Sequence, residues 1–122
     1  RIKTWEDAAA EVGMHPVKDL PYPNVVSSRQ KAVNAFFMCD VIVDVLLDGA
    51  VLDWTNSDQK KWYAWFNDYT PGSGFRFDGT YCVWTHTNAS GGARLCLDTK
   101  EKAEYFGTQF LPIINQFLNP IK

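Results

Sequence analysis

Residues 61–78, KWYAWFNDYTPGSGFRFD, predict a β-hairpin around which the rest of the fold is organised. Its first half is dense in aromatic side chains, which favour the pleated surface of a sheet. A turn composition follows at residues 70–74, and residues 75–78 alternate between aromatic and charged side chains, as a half-buried strand does. Gly79 predicts a bend or bulge, after which the second strand continues to Thr87.

A further turn and a further short strand follow this hairpin. Residues 88–92, NASGG, have a turn composition, and residues 93–97, ARLCL, favour a strand. Because such short turns connect consecutive strands, the strands are expected to pair antiparallel. The sequence therefore predicts a three-stranded antiparallel meander.

Two helices are predicted before the meander. Thr4 and Asp7 have the spacing of a helix N-terminus with an acidic first turn, and Gly13 is a natural stop for this short helix. A longer helix opens at residues 27–28 and runs to about Asp48. Its apolar side chains cover about half of its circumference, which is typical of a helix at the centre of a fold.

A last helix is predicted over residues 99–118, with an apolar stripe suited to covering one face of the sheet. Asp98 is its expected cap, with Glu101 placed to complete a capping box, and Pro112 predicts a kink. The fold class is therefore α+β, a three-stranded antiparallel meander packed against helices in the order α-α-β-β-β-α. The length predicts a single domain, 1–122.

Composition and charge narrow the possible classes of protein. The net charge of −2 and the pI of about 5.6 argue against a strongly cationic nucleic-acid binder. The hydrophobic content of 46% is too high for a disordered chain. No apolar run approaches the roughly 20 residues that a membrane span needs, so no membrane partner is predicted. The unusual feature is the aromatic content, with five Trp, five Tyr and eight Phe residues.

The cysteines indicate a reducing compartment. Cys39, Cys82 and Cys96 form no C-x-x-C pair and lack the spacing of zinc ligands. Because their number is odd, they cannot form a fully paired disulfide framework, and free thiols in a reducing cytoplasm are predicted. One bridge between Cys82 and Cys96 stays open, because both lie on neighbouring predicted strands. No metal and no cofactor is predicted.

The acidic residues of the long helix do not predict a metal site. Asp40, Asp44 and Asp48 lie four residues apart on one face, and one face of one helix cannot surround a hard cation. These three carboxylates are interpreted as a solvated stripe, and Lys60 or Lys61 is expected to relieve the repulsion between them.

No nucleophilic or phosphate-binding arrangement is predicted either. Cys82 and His86 share a strand face, but they lie about 13 Å apart along an extended strand, beyond hydrogen-bond reach. The other histidine, His15, lies in a Gly-Met-His-Pro turn. The glycine clusters at residues 72–74 and 91–92 join strand to strand, whereas a phosphate loop leads into a helix. The sequence therefore predicts a protein that is not an enzyme, with no catalytic residues.

Aromatic side chains around the first predicted strand are the strongest functional candidates. Trp62 and Phe66 point away from Tyr63 and Trp65, so both faces of this strand are aromatic. One face packs on the helices, and the other is either exposed or covered by a small second core. An exposed face suits a protein partner, since Trp, Tyr and Arg dominate binding hot spots, or the stacking of single-stranded nucleic-acid bases. The predicted binding surface comprises Trp54, Trp62, Tyr63, Trp65, Arg76, Trp84 and Arg94.

Seven segments, taken in order, carry a resemblance to a known family. They are IKTWEDA at 2–8, QKA at 30–32, DWTN at 53–56, WYAWF at 62–66, GFRF at 74–77, GARLCL at 92–97 and AEYFGTQF at 103–110. The series resembles a family of small uncharacterised proteins encoded by phages, prophages and mobile elements of gut bacteria, and it spans nearly the whole chain. The chain departs from the family at Ala64, Ala93 and Thr108, where the family usually has Pro, Ser and Lys. The loss of that Lys weakens the case for a cationic surface.

The resemblance implies a phage or mobile-element accessory protein, located in the bacterial host cytoplasm or in the virion. It supplies no catalytic or ligand-binding residues. Together with the aromatic strand, it predicts a protein-binding module that uses an aromatic sheet surface to bind itself, a virion component or a host protein. Binding of single-stranded nucleic acid is the alternative function.

Overall fold

The computed structural model of this chain describes residues 1–87 and 92–120, and it confirms the predicted α+β class. Its described part contains four α-helices and one two-stranded antiparallel sheet. The bounds are α1 Trp5–Glu11, α2 Ser28–Leu47, β1 Lys61–Thr70, β2 Gly74–Val83, α3 Lys100–Gln109 and α4 Leu111–Leu118. Within these described ranges, no helix combines the length and the apolar character that crossing a bilayer requires.

The predicted hairpin forms, with an irregularity at its centre. Its second strand ends at Val83 rather than at the predicted Thr87, and of the turn predicted at residues 88–92 only Gly92 lies within the described residues. The register of the β1–β2 pairing shifts between Ala64 and Phe66, whose partners on β2 are Thr80 and Phe77. One residue of β1 therefore lies opposite two residues of β2, which is the arrangement of a β-bulge. Gly79 lies in this bulge with a φ of 111°, a conformation that few residues other than glycine adopt. The bend or bulge predicted at Gly79 is confirmed.

The third strand predicted at residues 93–97 is not formed, so the order α-α-β-β-β-α is not observed. Ala93–Leu95 form a short 3-10 helix instead. The amides of Leu95 and Cys96 donate locally to the carbonyls of Gly92 and Ala93, and these bonds satisfy groups that a strand would have paired with a neighbouring strand. Only Leu97 pairs with β1, through two backbone hydrogen bonds to Trp62 of 2.7 and 2.8 Å.

The last predicted helix is broken into two. Phe110 separates α3 from α4, and Pro112 lies in the first turn of α4, where a missing amide proton is tolerated. The predicted cap at Asp98 was wrong by one residue, because the side chain of Thr99 accepts the hydrogen bond from the Lys102 amide. Asp98 instead pairs with the Lys102 ammonium at 3.0 Å.

The two N-terminal helices begin as predicted. Thr4 and Asp7 form the reciprocal capping box of α1, with hydrogen bonds of 3.1 and 3.2 Å. The backbone amide of Lys3, which also donates to this carboxylate, contributes most to lowering the pKa of Asp7. Ser27 caps α2 by accepting from the Gln30 amide. The face of α2 that packs in the core carries Ala35, Cys39, Ile42, Val43 and Leu46.

Helix α3 packs directly on one face of the hairpin at Gly107. A Cβ atom at this position would lie 2.5 Å from the ring of Phe77 and 2.8 Å from the Cβ of Ala64. We call this helix-covered side of the hairpin the inner face. The close approach requires glycine, because any side chain there would overlap the hairpin.

Two asparagine side chains form hydrogen bonds with backbone groups of residues that are not paired with a neighbouring strand. The amide of Asn34, in α2, accepts from the backbone N–H of Tyr22 at 2.9 Å and donates to its carbonyl at 2.8 Å. Asn115, in α4, does the same for Phe75 on β2, with both bonds at 2.8 Å. Each side chain thereby satisfies both polar groups of one residue, as a neighbouring strand would.

Candidate protein-binding surface

Three aromatic rings form a cluster on the side of the hairpin that faces away from α3. We call this side, carrying Tyr63, Trp65 and Tyr81, the outer face. The rings of Tyr63 and Tyr81 are stacked across the two strands with their centroids 6.0 Å apart. Trp65 contacts Tyr81 edge-on at 5.8 Å and Tyr63 at 6.4 Å. Each ring therefore contacts the other two, which limits their rotation.

The outer face is partly open to solvent. The side chain of Tyr81 is 51% exposed, whereas Tyr63 and Trp65 are half-buried. Desolvation is the main reason that the pKa of Tyr63 is raised, with smaller contributions from Cys96, Tyr81 and Cys82. The phenol of Tyr63 is therefore neutral at physiological pH and available as a hydrogen-bond donor.

A buried lysine, Lys61, lies at one end of the outer face. Lys61 is 0% exposed, and its Nζ donates to the carbonyl oxygens of Asn56 at 2.8 Å and Trp84 at 2.5 Å. The same Nζ lies 5.3 Å from the centroid of the Trp54 ring, within cation–π range. Lys61 thus ties the loop before β1 to the residue that follows β2. The sequence showed only two adjacent lysines, and no local signal distinguished the buried one.

The other residues of the predicted binding surface lie in different parts of the structure. Trp54 lies beside Lys61, and Trp84 is 39% exposed at the end of β2. Trp62 belongs to the inner side, where it packs against the hydrophobic core. Arg76 is exposed on β2, 3.8 Å from Asp68.

Arg94 does not join the aromatic cluster. Its guanidinium lies 3.4 Å from Asp40 of α2, so it relieves the acidic stripe of that helix in the place predicted for Lys60 or Lys61. Asp44, on the same stripe, has a raised pKa because it is partly desolvated and lies near the Asp40 carboxylate. The structure therefore brings Tyr63, Trp65 and Tyr81 together and leaves Trp62 and Arg94 outside the cluster.

The described residues contain no group of three or more His, Cys, Asp or Glu side chains arranged to hold a metal ion. His15 has a local structural role, because its Nδ1 accepts the backbone N–H groups of Val17 and Lys18 at 3.1 and 3.0 Å. His86 is exposed beyond the end of β2.

The three thiols are free, and two of them are deeply buried. Burial raises the pKa of Cys39 to about 12 and that of Cys96 to about 11. Because the thiolate is the reactive form, both should resist modification in the folded protein. Cys82 is only partly buried.

Titration of the native protein with a disulfide reagent at pH 8 is therefore expected to show one fast thiol, Cys82, and two slow ones. All three should react at once after denaturation. Cys82→Ser should remove the fast phase and leave the slow phases unchanged. A fast phase that survives this substitution would contradict the assignment.

Comparisons of the chain with protein-family models, with curated proteins and with solved structures find no match. The role of the outer face is therefore inferred from its own geometry.

Proposed function

We propose that this protein is a non-enzymatic binding module that engages another protein, or a second copy of itself, through the outer face of its hairpin. The observation that carries the proposal is the contact cluster of Tyr63, Trp65 and Tyr81, which lies opposite the helix-covered face and leaves Tyr81 half exposed. Tyr and Trp are the residues that contribute most to protein–protein hot spots.

The rigidity of the hairpin supports the proposal. Lys61 fastens one end of the strands, and Asn115 fastens β2 near the other end. Side chains that are already ordered lose less conformational entropy when a partner binds. A cluster held in this way is suited to act as a preformed anchor.

The charges near the cluster favour a protein over single-stranded nucleic acid. Four cations were candidates for phosphate contacts in the sequence: Lys60, Lys61, Arg76 and Arg94. In the structure Lys61 is buried, Arg94 pairs with Asp40 and Arg76 lies 3.8 Å from Asp68. Of the four, this leaves Lys60 as the exposed cation without an ion pair among the described residues. Affinity for single strands depends on phosphate contacts.

The resemblance to phage and mobile-element proteins supplies the biological context of the proposal. We place the protein as an accessory factor in the bacterial host cytoplasm or in the virion, where its partner is itself, a virion component or a host protein.

The test compares wild-type protein with the double variant Trp65→Ser, Tyr81→Ser. Sedimentation velocity over a range of concentrations measures self-association, and capture from a phage-infected lysate on immobilised protein measures binding of other partners. Because hot-spot truncation costs about 2 kcal/mol or more, the variant should bind at least about tenfold more weakly.

Tyr22→Ser is the matched control, since Tyr22 is an exposed tyrosine on the connector between α1 and α2. It should bind as the wild type does. A wild-type protein that stays monomeric and captures nothing, or capture that survives the double substitution, would contradict the proposal. Salt-sensitive binding of labelled single-stranded oligonucleotides, without any protein partner, would favour the alternative function.

A further inference from the structure

An open groove of about 860 Å³ lies between the first turns of α2 and helix α4. Its apolar lining includes Val33, Pro112, Phe117 and Leu118. Phe117 also contacts Phe36 of α2 edge-on, with ring centroids 5.4 Å apart, so the two helices are packed together beside the groove. Val33 is 48% exposed, which leaves apolar surface available to a ligand.

The charged residues that line the described part of the groove are both positive. Arg29 and Lys31 line it and are exposed, and neither makes an ion pair with any residue in the described ranges. Among the described residues that line it there is no acidic side chain. This local excess of positive charge contrasts with the net charge of −2 of the whole chain.

The position of Arg29 at the start of α2 also favours a bound anion. It lies in the first turn of α2, a turn that contains no acidic residue. The N-terminal end of a helix dipole is positive, so a cation there is unfavourable and an anion is favoured. A carboxylate bound beside Arg29 would interact favourably with both the guanidinium and the helix end.

We propose that this groove binds an acidic amphipathic segment of a partner protein, with apolar side chains placed against Val33, Phe117 and Leu118 and carboxylates placed beside Arg29 and Lys31. The apolar lining selects a segment with an apolar face, and the two unpaired cations select negative charge around that face. This surface is separate from the outer face of the hairpin, so either proposal can fail without the other.

The test uses fluorescence anisotropy with two labelled synthetic peptides. One carries leucines at helical spacing with glutamates between them, and the other has lysine in place of every glutamate. At low salt the acidic peptide should bind at least about tenfold more tightly than the basic one, and its affinity should fall as the salt concentration rises. Val33→Ser should weaken the acidic peptide several-fold without changing the charge.

The double variant Arg29→Glu, Lys31→Glu should lose at least about tenfold in affinity for the acidic peptide. Lys60→Glu, Lys100→Glu is the matched control, because it changes the net charge equally at exposed lysines outside the groove. Circular dichroism and Tm should stay close to wild type in both. Equal binding of the two peptides, or tight acidic binding by the Arg29→Glu, Lys31→Glu variant, would overturn the proposal. A dimer that this variant abolishes, with no peptide bound by the wild type, would also overturn it and assign the groove to a second copy.

Discussion

Replacing Lys61 with methionine is expected to lower the free energy of unfolding by about 3 kcal/mol, with a fall in Tm of roughly 10 °C. Methionine retains the apolar stem of lysine but cannot donate to the carbonyls of Asn56 and Trp84. Both carbonyl oxygens would then lose this donor, at a site where the Lys61 side chain is fully buried. A hydrogen bond from a charged donor contributes about 1.5–3 kcal/mol, so the loss of two is a large effect.

Lys60→Met is the control for this prediction, because Lys60 is the exposed neighbour in the same sequence context. Exposed substitutions of this kind are expected to change stability by less than about 0.5 kcal/mol. Chemical denaturation of both variants, monitored by tryptophan fluorescence, measures the difference. Equal stability of the two variants would show that the Lys61 hydrogen bonds contribute nothing net to the fold.

Replacing Gly107 with alanine is expected to destabilise the protein by about 1–3 kcal/mol, although alanine is the better helix former. In an open helix this substitution would stabilise by up to about 1 kcal/mol. In α3, however, the added Cβ would lie 2.5 Å from the Phe77 ring and 2.8 Å from Ala64, both on the hairpin. The helix and the hairpin would have to separate, and the packing of the inner face would loosen.

The neighbouring substitution Thr108→Ala controls for helix propensity, since Thr108 is exposed on the same helix. It should leave stability unchanged or raise it slightly. Thermal unfolding of both variants gives the comparison. A Gly107→Ala protein as stable as Thr108→Ala would mean that α3 has room to move away from the hairpin at little cost.

Local patterns predicted much of the secondary structure. The aromatic content of residues 61–67 and the alternation in residues 75–78 identified the hairpin, Gly79 identified its bulge, and Thr4 and Asp7 marked the start of α1. These features depend on a few neighbouring residues, because strand periodicity, backbone conformation and helix capping are short-range effects.

The region after the hairpin was predicted less well, because competing local and long-range bonds decide its conformation. Residues 93–97 have a strand composition, yet hydrogen bonds to Gly92 and Ala93 turn the chain into a 3-10 helix. Composition does not reveal whether an amide will bond within its own segment or to a strand distant in the chain. The same limit applies to the helix cap, where Thr99 acts in place of the predicted Asp98.

For the candidate surface, the sequence by itself determined that the two sides of β1 differ, with Trp62 on one side and Tyr63 and Trp65 on the other, since side chains alternate along a strand. It did not determine which side the helices cover. That depends on where α3 approaches closely enough to require Gly107. The sequence also did not determine that Lys61 rather than Lys60 is buried. Both are contacts between segments far apart in the chain, which periodicity cannot specify. The tertiary structure alone therefore brought the ring of Tyr81 into contact with those of Tyr63 and Trp65, and paired Arg94 with Asp40 outside that cluster.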